Sequence, residues 1–138
     1  MNLLLHGASG VMGRNVIEVA RGTDDCEITC GVDANASAAD FGFPVYEDIF
    51  EVKEDFDVII DFSVREAVDK LLLFAVERKK ALVLCTTGLS EEQEKKIHEA
   101  AKSIPILQSG NMSLGVNILQ ELIRIAASKL YKEGFDIE

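Results

Sequence analysis

Short apolar runs alternate with longer amphipathic stretches along this chain, and that alternation restricts the fold more than any other feature. Leu3-Leu4-Leu5, ending at His6, reads as a short buried strand, and a helical run follows from about Val11 to Arg21. Glu27 to Val32 reads as the second strand, with Ile28 and Val32 spaced for a sheet. Phe56 to Phe62 is the clearest strand. Its near-continuous apolar run, Val58-Ile59-Ile60, suits a strand covered on both faces. Ala81 to Cys85, and Ile104 to Gln108 entered through Pro105, read as two more. Ala34 to Pro44 is small and polar and reads as a loop, and Glu47 to Val52 as a short helix. Two capping-box patterns, Ser63 to Glu66 and Ser90 to Gln93, predict helices running to about Lys79 and about Lys102. Val68, Leu71, Leu72 and Ala75 share one face of the first. A last helix, capped at or near Ser113, carries Ile118, Leu119, Leu122, Ile123, Ala126 and Leu130 at helical spacing. Strands that alternate with helices in this way imply parallel βαβ units and a doubly wound α/β sheet.

The chain has 138 residues, enough for one domain with a real core. Its 14 basic and 24 acidic side chains leave a net charge of −10, with a pI near 4.6. That balance argues against nucleic acid, whose binders carry a basic footprint. It does not exclude a small phosphorylated ligand, because backbone amides at a helix N-terminus hold phosphate whatever the net charge. No apolar run approaches the roughly 18 residues of a membrane span, and no signal peptide precedes the first strand. Cys26, Cys30 and Cys85 are an odd count, as expected of reduced thiols in the cytoplasm. No metal-ligand spacing is present. His6 and His98 read as isolated, with neither near the motifs described next.

Gly7-Ala8-Ser9-Gly10-Val11-Met12-Gly13 follows the first strand and opens the first helix, where a Rossmann-like dinucleotide fingerprint belongs. Gly7 can make the tight turn, Gly10 can let a pyrophosphate approach, and Gly13 can permit close packing. The bland alternative is a turn that needs glycine for geometry alone. Asp33 stands at the end of the second strand, 26 residues after Gly7. A carboxylate there can accept hydrogen bonds from the adenosine ribose and repels a 2′-phosphate. No Arg or Lys follows it between Ala34 and Phe43, so NADH is favoured over NADPH. A solvated loop Asp or helix cap is the alternative. Cys85-Thr86-Thr87-Gly88 lies at a strand C-terminus, where α/β sheets bind ligands. Its two hydroxyls can bond a nicotinamide amide or a substrate carboxylate, or simply cap a turn. Cys85 has no basic neighbour and reads as a small buried residue rather than a nucleophile. In Ser109-Gly110-Asn111-Met112-Ser113-Leu114-Gly115-Val116-Asn117, Asn111 can bond a carboxamide, Gly110 lets a ring come close, and Asn117 can tether the loop. Asp61 ends a strand at the same sheet edge. Ser63 reads as a cap, and Arg14 can reach phosphate or make a surface salt bridge.

Taken in order, Gly7 to Gly13, Asp61-Phe62-Ser63, Cys85 to Gly88 and Asn111 to Asn117 closely resemble dihydrodipicolinate reductase of bacterial lysine and diaminopimelate biosynthesis. The resemblance extends to Asp136-Ile137-Glu138. It implies a cytoplasmic, homotetrameric oxidoreductase that takes hydride from NADH or NADPH to reduce a cyclic dicarboxylate, dihydrodipicolinate, to tetrahydrodipicolinate. It also implies that Gly7, Ala8, Ser9, Gly10, Val11 and Met12 cradle the pyrophosphate and that Asp33 holds the adenosine ribose. Cys85, Thr86 and Thr87, with Ser109, Gly110, Asn111 and Met112, would line the nicotinamide, and Thr87 would touch substrate. Val11 stands where many members carry Arg, Cys85 where many carry Gly, and Gly110 where Ala is usual.

On this resemblance residues 1–130 form the cofactor domain and residues 131–138 begin a substrate-binding and tetramerisation domain. The family's catalytic Lys and substrate loop are expected beyond Glu138, so no catalytic residue is assigned here. The chain's cations fall mostly on helix faces. The expectation is therefore a chain that binds cofactor without turnover. Two alternatives remain: a standalone NAD(H)- or CoA-binding module with a sensing role, and another amino-acid-pathway dehydrogenase with a similar first half.

Overall fold

A computed structural model describes residues 1–36 and 40–136. The chain runs β1 (Asn2–His6), α1 (Val11–Arg21), β2 (Glu27–Val32), β3 (Val45–Tyr46), β4 (Val58–Asp61), α2 (Val68–Arg78), β5 (Ala81–Leu84), α3 (Glu91–Ala100), β6 (Ile106–Gln108) and α4 (Leu114–Leu130). The strands form one parallel sheet in the order β3-β2-β1-β4-β5-β6. The order reverses between β1 and β4, which opens a crevice at the strand C-termini. This is the Rossmann-like fold expected from the alternation of elements.

Successive side chains of β1 point to opposite faces, and the core divides accordingly. Leu4 joins Ile59, Leu71, Leu72, Phe74, Ala75, Leu82, Leu84 and Ile97 beneath α2 and α3. Leu3 and Leu5 join Ile17 and Ile28 beneath α1. All three leucines are at most 3% exposed, so β1 is the centre of the molecule. Each fully buried side chain of this size contributes roughly 1.5–3 kcal/mol.

Differences from the sequence reading are local. The two-residue edge strand β3 was not expected, because it is too short to carry a period-2 pattern. The short helix expected over Glu47 to Val52 is one 3₁₀ turn, Ile49–Glu51, capped by Asp48. Ser90 and Gln93 form the expected reciprocal capping box. Ser63 and Glu66 do not. Glu66 pairs with Arg65, and a 3₁₀ turn at Arg65–Ala67 precedes α2. Ser113 caps α4 through the amide of Val116. The apolar residues of α4 stand at the helical spacing expected, and the helix has no buried residue. Tyr131–Glu133 adds a 3₁₀ turn. Gly134 to Asp136 form no strand, and Ile137 and Glu138 lie outside the described residues. No helix of the described residues is long and apolar enough to cross a membrane.

Candidate functional site

The crevice begins at the loop between β1 and α1. Gly7 takes φ +84°, and a Cβ there would stand 2.5 Å from the carbonyl oxygen of Phe62. A Cβ on Gly13 would collide with the carbonyls of Gly7 and Ala8. These two glycines let the loop, the start of α1 and the end of β4 touch backbone to backbone. Gly10 differs: a Cβ there would meet only the Gly7 carbonyl, at ordinary contact distance. The loop amides of Gly7 and Ala8 bond the Val32 carbonyl, and that of Gly10 bonds the Gly7 carbonyl. Arg14 donates from Nε to the Ser9 carbonyl at 3.1 Å and so braces the loop.

The N-terminus of α1 receives no side-chain cap, unlike α3 and α4. Its first-turn amides, at Val11, Met12 and Gly13, have no carbonyl a turn earlier to bond. Beside them is a cavity of about 350 Å³ lined by His6, Ser9, Gly10, Asp33, Glu47 and Ser63 among others. No Lys or Arg lines it.

Asp33 faces the loop. Its Oδ2 accepts the Ser9 amide at 2.8 Å and its Oδ1 accepts the Asn35 amide at 2.9 Å. Burial works to raise this carboxyl, but the Ser9 and Asn35 hydrogen bonds and the nearby His6 outweigh it and hold it below its usual range. The group is therefore an anion, and each oxygen keeps acceptor capacity toward the cavity.

Behind the cavity wall lies a polar network that the sequence did not reveal. Parallel register places His6 of β1 beside Asp61 of β4, and Asp61 beside Leu84 of β5, two residues before Thr86. Asp61 is completely buried. Its Oδ1 accepts His6 Nδ1 at 2.8 Å, Ser63 Oγ at 2.6 Å and the Ser63 amide at 3.2 Å. Its Oδ2 accepts Thr86 Oγ1 at 2.6 Å. Burial pushes the Asp61 carboxyl up, but the His6 hydrogen bond and charge, then the Ser63 and Thr86 hydroxyls, prevail and hold it low. This corrects two readings. His6 is neither isolated nor remote from the glycine loop. Ser63 does not cap α2: the chain enters the 3₁₀ turn through Val64, and the Ser63 hydroxyl is directed at the Asp61 carboxylate.

The remaining expected site residues gather at the ends of β5 and β6. Cys85 is buried, and burial together with the Asp61 charge pushes its thiol up to about 11, which leaves it un-ionised at neutral pH. Thr86 is buried against Asp61, whereas Thr87 is exposed. A Cβ added to Gly110 would stand 3.1 Å from Thr87 Cγ2, so the β5 and β6 loops meet here. The Ser109 amide bonds the Leu84 carbonyl, and Ser109 Oγ donates to the Asn111 carbonyl. Asn111 accepts the Ser113 amide through its side-chain oxygen, and Asn117 Nδ2 ties back to the Ser113 carbonyl. Asn111 and Met112 are exposed on this rim. Val11 and Met12 are exposed at the start of α1. No group of three or more potential metal ligands occurs among the described residues.

The family model described as dihydrodipicolinate reductase, N-terminus, matches residues 1–112. The 4-hydroxy-tetrahydrodipicolinate reductase of Caldanaerobacter subterraneus subsp. tengcongensis is 49% identical over 138 residues, which are all of this chain and 53% of that protein. The chain spans about half the length of the curated relatives it matches. Among solved structures, a dipicolinate-bound dihydrodipicolinate reductase from Paenisporosarcina sp. TG-14 superposes with a TM-score of 0.81 at 18% identity. That match covers 94% of this chain and 54% of the other. An oxidoreductase from Agrobacterium radiobacter, solved with NAD+, L-tartaric acid and magnesium, gives a TM-score of 0.64 at 16% identity over 81% of this chain and 36% of that one. At these identities the two structures attest the fold. The sequence match from β1 to the loop after β6 carries the assignment: the chain belongs to the dihydrodipicolinate reductase family and corresponds to its N-terminal part.

Proposed function

We propose that this chain is the part of a dihydrodipicolinate reductase that holds a pyridine nucleotide. One observation carries the reading: the uncapped N-terminus of α1 and the Asp33 carboxylate face one cavity at the reversal of strand order. Helix-terminal amides suit a pyrophosphate, and an anionic carboxylate at the tip of the adjacent strand suits ribose hydroxyls. Gly7 to Met12 would cradle the pyrophosphate. Cys85 to Thr87 and Ser109 to Met112 would surround the nicotinamide, with Thr87 turned to substrate. When bound, a reduced pyridine nucleotide supplies the hydride; the residues here bind and orient it.

NADH fits better than NADPH. Asp33 and Glu47 line the cavity without a Lys or Arg to offset a 2′-phosphate. The substrate class is the dicarboxylate implied by the family and bound by the Paenisporosarcina relative. The whole protein would be a cytoplasmic homotetramer of lysine and diaminopimelate biosynthesis. Within this chain the cations pair elsewhere, as Lys70 does with Asp48, Lys96 with Asp69 and Glu92, and Arg124 with Glu121. Nothing cationic is left in the cavity to hold two substrate carboxylates, so the 138-residue chain binds cofactor without turning over substrate.

Titration of NADH and NADPH into the chain tests this. Saturable NADH binding at least as tight as NADPH binding is expected, with Asp33→Ala weakening NADH and narrowing the difference. Absence of saturable binding overturns the nucleotide reading. NADPH binding tenfold tighter overturns the role given to Asp33. Steady-state NADH oxidation with substrate, above background, overturns the claim of no turnover.

A further inference from the structure

His6 is 7% exposed, lines the cavity beside the glycine loop, and is held by one edge of its ring. Nδ1 lies 2.8 Å from Oδ1 of Asp61, a carboxylate that also receives the Ser63 and Thr86 hydroxyls. An ionised carboxylate only accepts, so Nδ1 carries the hydrogen, and in the neutral ring Nε2 is a bare lone pair. Nε2 has no partner among the described residues. With Nδ1 turned to Asp61, it is the polar edge left for the cavity.

The side-chain charges around this ring all have one sign. Asp61 meets it from β4, Asp33 stands at the tip of β2, and Glu47 lines the same cavity after β3. The turn before α2 contributes the apolar Val64 and Ala67. From β5 come Thr86, bonded to Asp61, and the un-ionised Cys85. From α1 comes no charged side chain, since Arg14 is turned to the Ser9 carbonyl, but the helix N-terminus itself carries partial positive charge. With Lys and Arg absent, His6 is the one lining residue among those described that can become a cation near neutral pH.

We infer that His6 is the cation of this cavity: an arriving diphosphate draws one proton from solvent onto Nε2, and the doubly protonated ring donates to a phosphate oxygen while Nδ1–H stays on Asp61. This rests on the pyridine-nucleotide reading above and goes further by naming a side chain that binds the phosphates and a proton that travels with them. A phosphate oxygen facing unprotonated Nε2 sets lone pair against lone pair. Protonation turns that contact into a charge-assisted hydrogen bond. The α1 terminus opposes a second positive charge beside it, and the same anion offsets that opposition. Nucleotide and proton therefore favour each other, and affinity rises as pH falls. A ribose hydroxyl at Nε2 would instead donate to the neutral ring and take up no proton.

Calorimetry of the 138-residue chain with NADH and with ADP-ribose tests this, since both ligands carry the diphosphate and neither titrates near neutral pH. Titrations in buffers of differing ionisation enthalpy read the proton directly, and a net uptake of about 0.3 proton or more is expected near pH 7.5. Affinity is expected to tighten about fivefold or more from about pH 8.5 to about pH 6.5. His6→Asn keeps a donor for Asp61 and loses the titrating ring. It is expected to take up no proton and to hold its affinity within about twofold over the same range. His98→Asn, on the exposed face of α3, is expected to behave as the wild type. If His6→Asn does not fold, ring nitrogen-15 NMR of the wild type serves: both nitrogens of His6 are expected to be protonated in the complex near pH 7.5. Nucleotide binding without proton uptake overturns the inference and leaves the nucleotide reading standing, as does uptake that persists in a folded His6→Asn or an unprotonated Nε2 in the complex. Absence of saturable binding of either ligand across the pH range overturns the nucleotide reading itself, and this inference with it.

Discussion

At the tips of β1, β4 and β5 a carboxylate with no exposure receives four hydrogen bonds, whereas along α4 Leu114, Ile118, Leu119, Leu122 and Ile123 all stand more than half exposed. The polar group is inside and the apolar ones are outside, against the usual partition. The strand tips are held by pairings between residues 25 and 55 positions apart. The last helix rests on local terms: the Ser113 cap, the Glu121–Arg124 pair and Lys129 in its final turn. One region is therefore defined by the folded sheet, and the other by its own backbone. Perturbing them should have very different consequences.

The largest separation comes from Asp61→Ala. Removing the acceptor strands the His6 donor and two hydroxyls in a buried setting, and chemical denaturation should show a loss of about 3–5 kcal/mol. Next is Gly7→Ala, which forces a Cβ onto the Phe62 carbonyl at a left-handed backbone position. Its expected cost is about 3 kcal/mol by the same measurement. Cofactor binding should fall as well, because the loop carries the pyrophosphate amides.

Acid titration sharpens the contrast further. Asp61 has a folded-state pKa below the ordinary carboxylate value, so the folded protein binds its proton less readily than the unfolded chain. Its stabilising contribution is in full force above the unfolded value, near ~3.9, and is lost as pH falls through the folded one. Denaturation midpoints should drop below about pH 4 in the wild type and drop less steeply in Asp61→Asn. The smallest effect belongs to α4. Leu122→Ala removes a side chain that is 58% exposed, and the thermal midpoint should shift by an amount equivalent to less than ~0.5 kcal/mol. A loss of several kcal/mol there would mean that α4 is packed in solution and that the contrast is false.

Much of the fold was legible because its signals are periodic and local. β2 and α1 begin and end where hydropathy and glycine placement indicated, and Ser90 with Gln93 announced α3. The glycine loop, Asp33 and the two threonines were legible as motifs. The Asp61 network was not, since His6 and Asp61 are 55 residues apart and meet only through strand register. A buried acid at one strand end and a histidine at another were the available signal, but a single sequence does not state which strands are neighbours. Ser63 followed a capping pattern and failed it, because the pattern sees neither the 3₁₀ turn that begins after Val64 nor the Asp61 carboxylate that orients the Ser63 hydroxyl. The stripe on α4 was read correctly as helical, yet periodicity reports which residues share a face and not what covers that face.

The interlock at Gly13 bears on kinetics. Because α1 begins in direct backbone contact with the carbonyls of Gly7 and Ala8, the loop has little room to rearrange without moving the helix. The mouth that meets the diphosphate is thus already in its receptive shape before encounter. Little ordering entropy remains to be lost there on association, and differences among nucleotides should register in how long each stays rather than in how fast each arrives.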